Sequence, residues 1–152
     1  MLDDTVSMRR CLQLGRVALA NGDAPVGALI MQNGEIIAES IEAVKVKKDP
    51  TAHAETEAVR AACAKLDTLD LSDCVLYTNV EPCWMCAYAI RQTRIARVVF
   101  GSPNALIGGF NSKFQILSDK SLKLPLPLID GDVLRAECDL LLTEFQKIKK
   151  TK

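Results

Sequence analysis

One histidine, no net charge and no long apolar run are the chain's defining shortages. Its 19 Lys and Arg are matched by 19 Asp and Glu. That balance excludes a globally basic nucleic-acid binder, while a local basic patch stays open. No apolar stretch approaches the roughly 18 residues of a membrane span. The opening Met1-Leu2-Asp3-Asp4 is acidic and lacks the apolar core of a secretory signal. A cytoplasmic, reducing location is therefore expected, where six cysteines read as core residues, metal ligands or redox groups. Low-complexity segments, repeats and linker-like runs are also missing, so residues 1–152 read as one domain. At this length roughly 70% of the unfolded surface can be buried without help from disulfides.

What is present has a regular order. Asp4 to Leu19 carries Met8, Leu12 and Leu19 at helical spacing with Gly15, and Asn21-Gly22 supplies a stop. Val26–Met31 and Glu35–Ile41 are β-like runs around Asn33-Gly34, a strong hairpin signal. A polar loop leads to Asp49-Pro50-Thr51, where a helix opens and runs to Leu66 through Ala-rich sequence. Cys74–Thr78 reads as a buried strand, Cys83–Thr93 as a helix with Pro82 at its start, and Val98-Val99-Phe100 as another strand. Gly101–Asn111 is loop, and Pro125 and Pro127 confine the next run to an edge strand. Leu134, Cys138, Leu141, Phe145 and Ile148 mark a final amphipathic helix. The alternation predicts an α/β fold, a mixed sheet covered by helices on both faces.

Chemistry concentrates in two short segments. Pro82-Cys83-Trp84-Met85-Cys86 sets two thiols three residues apart at a helix start, so both sulfurs can reach one point. A helix N-terminus favours negative charge and suits thiolate ligation. Such a pair also serves redox chemistry or structural zinc. His53, two residues before Glu55, supplies the discriminating partner. His53, Cys83 and Cys86 together are a ligand set of the type zinc takes. Cys11, Cys63, Cys74 and Cys138 lie singly in apolar patterns and read as core. Three protein ligands leave a fourth position open, which is the catalytic pattern of zinc and not its structural one.

His53-Ala54-Glu55 followed by Pro82-Cys83-Trp84-Met85-Cys86 resembles the signature of the zinc-dependent cytidine-deaminase-like superfamily. Ala24-Pro25-Val26-Gly27-Ala28, Asp49-Pro50-Thr51-Ala52-His53, Leu76-Tyr77-Thr78 and Arg97-Val98-Val99-Phe100-Gly101 resemble its branch of guanine, cytosine and tRNA-adenosine deaminases. The resemblance implies a three-layer α-β-α sandwich with about five strands, usually dimeric, and one Zn²⁺ per chain. It implies that His53, Cys83 and Cys86 bind the zinc. It also implies that Glu55 carries protons from water to a ring nitrogen and the leaving amine, and that the Ala54 N–H meets the substrate.

Substrate is where the chain departs from the branch. An Asn commonly stands eleven residues before the zinc histidine there; here the residue is Glu42. Glu42 is either a solvated loop carboxylate or a pocket residue, and in the pocket it would accept hydrogen bonds only while ionised. Trp84 is either packing or a pocket wall, and Asp23 either a turn residue or part of the site's mouth. Gly108–Phe114 has no acidic residue, unlike the corresponding loop of guanine deaminases. The neutral net charge favours a free nucleobase or related amino-heterocycle, guanine-, cytosine- or triazine-like, as substrate. The alternative is a tRNA-specific adenosine deaminase making inosine at the wobble position. Arg135-Ala136-Glu137-Cys138 resembles that group, and Lys45, Lys47, Lys48, Lys147, Lys149, Lys150 and Lys152 offer phosphate contacts. Gln146, however, stands where the group has a second aromatic. A second alternative is a catalytically silent binding protein on the deaminase fold, against which the presence of Glu55 argues.

Overall fold

The computed structural model describes residues 3–150, so Met1, Leu2, Thr151 and Lys152 lie outside it. Asp3 caps the first helix, α1 (Asp4–Ala20), its carboxylate accepting the Val6 N–H at 3.0 Å. Strands β1 (Gly27–Gln32) and β2 (Glu35–Ile41) form the expected hairpin. Asn33 and Gly34 both take left-handed backbone, φ 52° and 80°, as the tight primed turn demands.

Helix α2 (Val44–Lys47) precedes α3 (Ala54–Leu66). Then come β3 (Cys74–Val80), α4 (Trp84–Gln92) and β4 (Arg97–Ser102). A long excursion leads to β5 (Leu128–Asp130) and α5 (Arg135–Lys150). The sheet order is β2-β1-β3-β4-β5, antiparallel from β2 through β3 and parallel from β3 to β5. β5 is the edge strand that Pro125 and Pro127 predict.

Strand alternation divides the core. Ala28, Ile30, Leu76 and Val98 face α3 and α4, meeting Ala58, Ala62, Ala87 and Ile90. Leu29, Met31, Tyr77 and Val99 face the opposite way, against Met8 and Cys11 of α1 and Cys138 of α5. The result is the three-layer sandwich. Among the described residues no helix is long and apolar enough to cross a membrane.

Two differences from the sequence reading matter. The stretch read as a polar loop holds α2, because Asp23 accepts the Lys45 and Val46 N–H groups at 2.8 and 3.3 Å from 22 and 23 residues away. The excursion after β4 is loop over 103–112, as expected, but β4 takes in Gly101 and Ser102 and the stretch beyond 112 is more ordered than the sequence announces. It contains two short 3₁₀ turns, Ile116–Ser118 and Lys120–Leu122, and is tied down by buried charged residues.

Candidate active site

Two helix starts meet behind the carboxyl end of β3. His53 is the N-cap of α3 and Cys83 the N-cap of α4, both in extended backbone. Extended backbone at His53 breaks the helical phase, so its ring and the Glu55 side chain face the same cavity. His53 Nδ1 lies 3.4 Å from Cys83 Sγ and 3.6 Å from Cys86 Sγ. The three ligand atoms all fall within 4.8 Å of one another. Zn–S near 2.3 Å and Zn–N near 2.0 Å at tetrahedral angles place S and N about 3.6 Å apart. The donor set therefore fits a tetrahedral zinc ion.

The three groups shift one another's protonation. The neighbouring Cys86 thiol and the His53 ring hold the Cys83 thiol well below its usual range. The Cys86 thiol is pushed up by the Cys83 thiolate and by burial. His53 is raised to about 9 by its bond to Cys83. Thr56 Oγ1 sits 3.1 Å from Cys86 Sγ and orients it.

Glu55 is 5% exposed in the first turn of α3. Thr78 donates its hydroxyl to Glu55 Oε1 at 2.6 Å, and the Cys86 thiol approaches Oε2 at 3.5 Å. Burial pushes the Glu55 carboxyl up, partly opposed by the Thr78 bond. A carboxylate beside the ligand triad with one oxygen fixed is placed to move a proton.

His53, Glu55 and Cys83 line the floor of a cleft of about 530 Å³. One wall is Ala24 and Val26, held where Asn79 bridges the Pro25 carbonyl and the Gly27 N–H at 2.9 and 2.8 Å. Another is Pro103–Ile107 from the excursion, and Leu142, Phe145, Gln146 and Lys149 of α5 stand at the mouth. Lys149 Nζ lies 5.3 Å from the centre of the Phe145 ring.

The substrate-facing expectations divide. Glu42 does line the cleft, pinned by its N–H to the Val26 carbonyl at 2.9 Å. Its Oε1 accepts the Ala54 N–H at 3.0 Å, so Glu42 already engages the backbone group expected to meet substrate. Burial and the Glu55 charge raise the Glu42 carboxyl to about 7. Asp23 does not reach the mouth: it is buried beneath α2 as that helix's cap. Trp84 is not a cleft wall either. Trp84 is 46% exposed and packs at a tilt against Phe114, ring centres 4.2 Å apart, because the first residue of α4 turns away from the ligand face.

Residues 1–102 match the cytidine and deoxycytidylate deaminase zinc-binding region. The chain belongs to that family. It is a zinc-dependent deaminase, an enzyme that hydrolyses a C–N bond. Its relatives include the tRNA-specific adenosine deaminase of Aquifex aeolicus, 42% identical over 115 residues, 76% of each chain. The tRNA-specific adenosine deaminase of Haemophilus influenzae is 38% identical over 98% of this chain and 87% of its own. A solved structure from work on A-to-I editing by tRNA:A34 deaminases at the wobble position superposes with a TM-score of 0.87. It is 31% identical and covers 91% of this deaminase and 99% of itself.

These likenesses overturn the free-nucleobase reading. Net charge misled because it averages the whole surface, whereas Lys147, Lys149 and Lys150 concentrate in the last turn of α5. The sequence reading assigned no role to Thr78 or Glu81, and it weighed Phe145, Gln146 and Lys149 without placing them at the cleft. For Thr78 a signal existed: a hydroxyl in a mostly apolar strand that reads as buried needs a partner.

Proposed function

We propose that this deaminase acts on adenosine in transfer RNA and forms inosine at the wobble position. The observation that carries this reading is 38% identity to a tRNA-specific adenosine deaminase along 98% of the chain. In it, His53, Cys83 and Cys86 hold the zinc, which when bound supplies a Lewis acid that makes water acidic enough to attack at neutral pH.

The chain's own groups do the rest. Glu55 takes a proton from the attacking water, with Oε1 held by Thr78. It delivers that proton to adenine N1 as C6 becomes tetrahedral, then takes the proton of the new C6 hydroxyl and passes it to the amine, which leaves as ammonia as C6 becomes a carbonyl. Ala24 and Val26 contribute apolar surface at the wall of the cleft. Glu42 faces the substrate edge beside Ala54. Phe145 and Lys149 at the mouth fit a flanking base and a phosphate, a stacking surface beside a cation. The homodimer implied by the family resemblance belongs to the same proposal, with the exposed Trp84 and Tyr88 of α4 as the face a second copy covers.

The test is an anticodon stem-loop RNA with adenosine at the wobble position, incubated with zinc-loaded enzyme and digested to nucleosides. The reading predicts inosine in step with released ammonia. Intact adenosine throughout would refute it.

A further inference from the structure

The excursion between β4 and β5 forms a wall of the cleft, yet its first half, 103–112, has no strand and no helix. Four of its backbone N–H groups are held by one side chain. Glu81, 2% exposed, accepts the Asn104 N–H through Oε1 at 3.1 Å. Its Oε2 accepts the N–H groups of Phe110, Asn111 and Ser112 at 3.0, 3.3 and 3.4 Å, and the Ser112 hydroxyl also donates to Oε1. The same wall is tied to the metal-ligand segment. The Trp84 N–H reaches the Ile107 carbonyl at 3.0 Å, and the Gly109 N–H reaches the Pro82 carbonyl at 2.7 Å.

A buried carboxylate with no basic side chain in contact is costly unless its lone pairs are filled. Here they are filled by four backbone N–H groups and the Ser112 hydroxyl, all from the loop, so the carboxylate and the loop's shape depend on each other. Glycine at 108 is part of the fit: a Cβ there would lie 2.2 Å from Glu81 Oε2 and 2.5 Å from the Asn104 carbonyl oxygen. Glu81 is also two residues from Cys83, so one short segment holds both a zinc ligand and the loop's anchor.

We infer that Glu81 is a positioning residue for the reaction: its carboxylate sets the Asn104–Ile107 wall of the cleft relative to the zinc ligands. It acts on substrate through that wall and moves no proton. The inference rests on the proposed RNA substrate only for its kinetic arm.

Glu81→Gln keeps the size but removes the charge and one acceptor. Gly108→Ala displaces the carboxylate without touching it chemically. In zinc-loaded protein, both changes are expected to speed amide exchange at Phe110, Asn111 and Ser112 at least roughly ten-fold, with the amides of β1 and β3 unchanged. Zinc content stays at the wild-type level. KM for the stem-loop RNA rises roughly ten-fold while kcat moves far less, as expected when a binding wall is misplaced.

Unchanged exchange at those amides in Glu81→Gln overturns the inference. Faster exchange with an unchanged KM overturns the positioning role and leaves Glu81 structural. A wild-type enzyme silent on the RNA refutes the substrate reading instead. KM is then taken on the amine-bearing base that does release ammonia, and the exchange arm is unaffected.

Discussion

Thr78 and Glu55 meet across the sheet and α3, the hydroxyl of one donating to the buried carboxylate of the other at 2.6 Å. This bond fixes one Glu55 oxygen and leaves the other toward the ligand triad. Thr78→Val keeps the shape and removes the donor. The expected result is a kcat lower by roughly ten-fold or more, with zinc content unchanged, by analogy with outer-shell partners of metal sites. An unaltered kcat would show that Glu55 needs no such orientation.

Glu55→Gln removes the proton carrier itself. General acid–base groups contribute about 100- to 10,000-fold, so kcat should fall by at least that lower figure. Metal analysis should find zinc retained, because Glu55 is not a ligand. Loss of zinc together with activity would mean that the residue serves the metal site.

Glu42 offers only acceptors at the substrate edge while ionised, yet adenine's N3 and N7 are themselves acceptors. Glu42→Asn supplies a donor at that edge. A well-made hydrogen bond of about 1 kcal/mol corresponds to roughly a five-fold gain in kcat/KM on adenosine RNA. A loss of similar size would show that the carboxylate makes a required contact, such as one to a hydroxyl or amine.

Lys149 stands at the mouth beside Phe145. If it meets a phosphate, Lys149→Ala should raise KM for the RNA and flatten the salt dependence of log KM by a slope of about 1. An unchanged slope would place the phosphates elsewhere, with α2 as the next surface to examine. There Lys47 is already paired with Glu57 at 2.6 Å.

Stability should depend on pH through Asp4. Its carboxyl is held below the usual range by the Arg97 guanidinium and by the Tyr77 hydroxyl. A lowered folded pKa means this stabilisation is present above the unfolded value near 3.9 and is lost as pH falls through the folded value. Asp4→Asn should cost about 1 kcal/mol at pH 7, about 2–4 °C in Tm, and little at the acid end. An equal cost at both ends would point to helix packing instead of the ion pair.

Much of this protein was readable before its structure. Asn33-Gly34 fixed the hairpin, Pro125 and Pro127 fixed the edge strand, and the His53, Cys83 and Cys86 spacing pointed to zinc, because each is a local signal. The features that escaped notice depend on distant contacts. Helix α2 has no capping side chain of its own and borrows Asp23. Arg91, fully buried, holds the second half of the excursion through the carbonyls of Ile116, Asp119 and Leu124, 25 to 33 residues away. Glu81 holds the first half over similar separations. Nothing in either residue's neighbours announces that work. The substrate was misjudged for a related reason: a net charge of zero says nothing about where the lysines stand.

The central claim is that a zinc deaminase site in this fold serves adenosine in RNA. Its most direct measurement compares kcat/KM for the wobble-adenosine stem-loop with that for free guanine, cytosine and an amino-triazine under identical zinc loading. The account predicts efficient inosine formation in the RNA and release of ammonia from none of the free heterocycles above background. Turnover of a free heterocycle with the RNA left intact would contradict it.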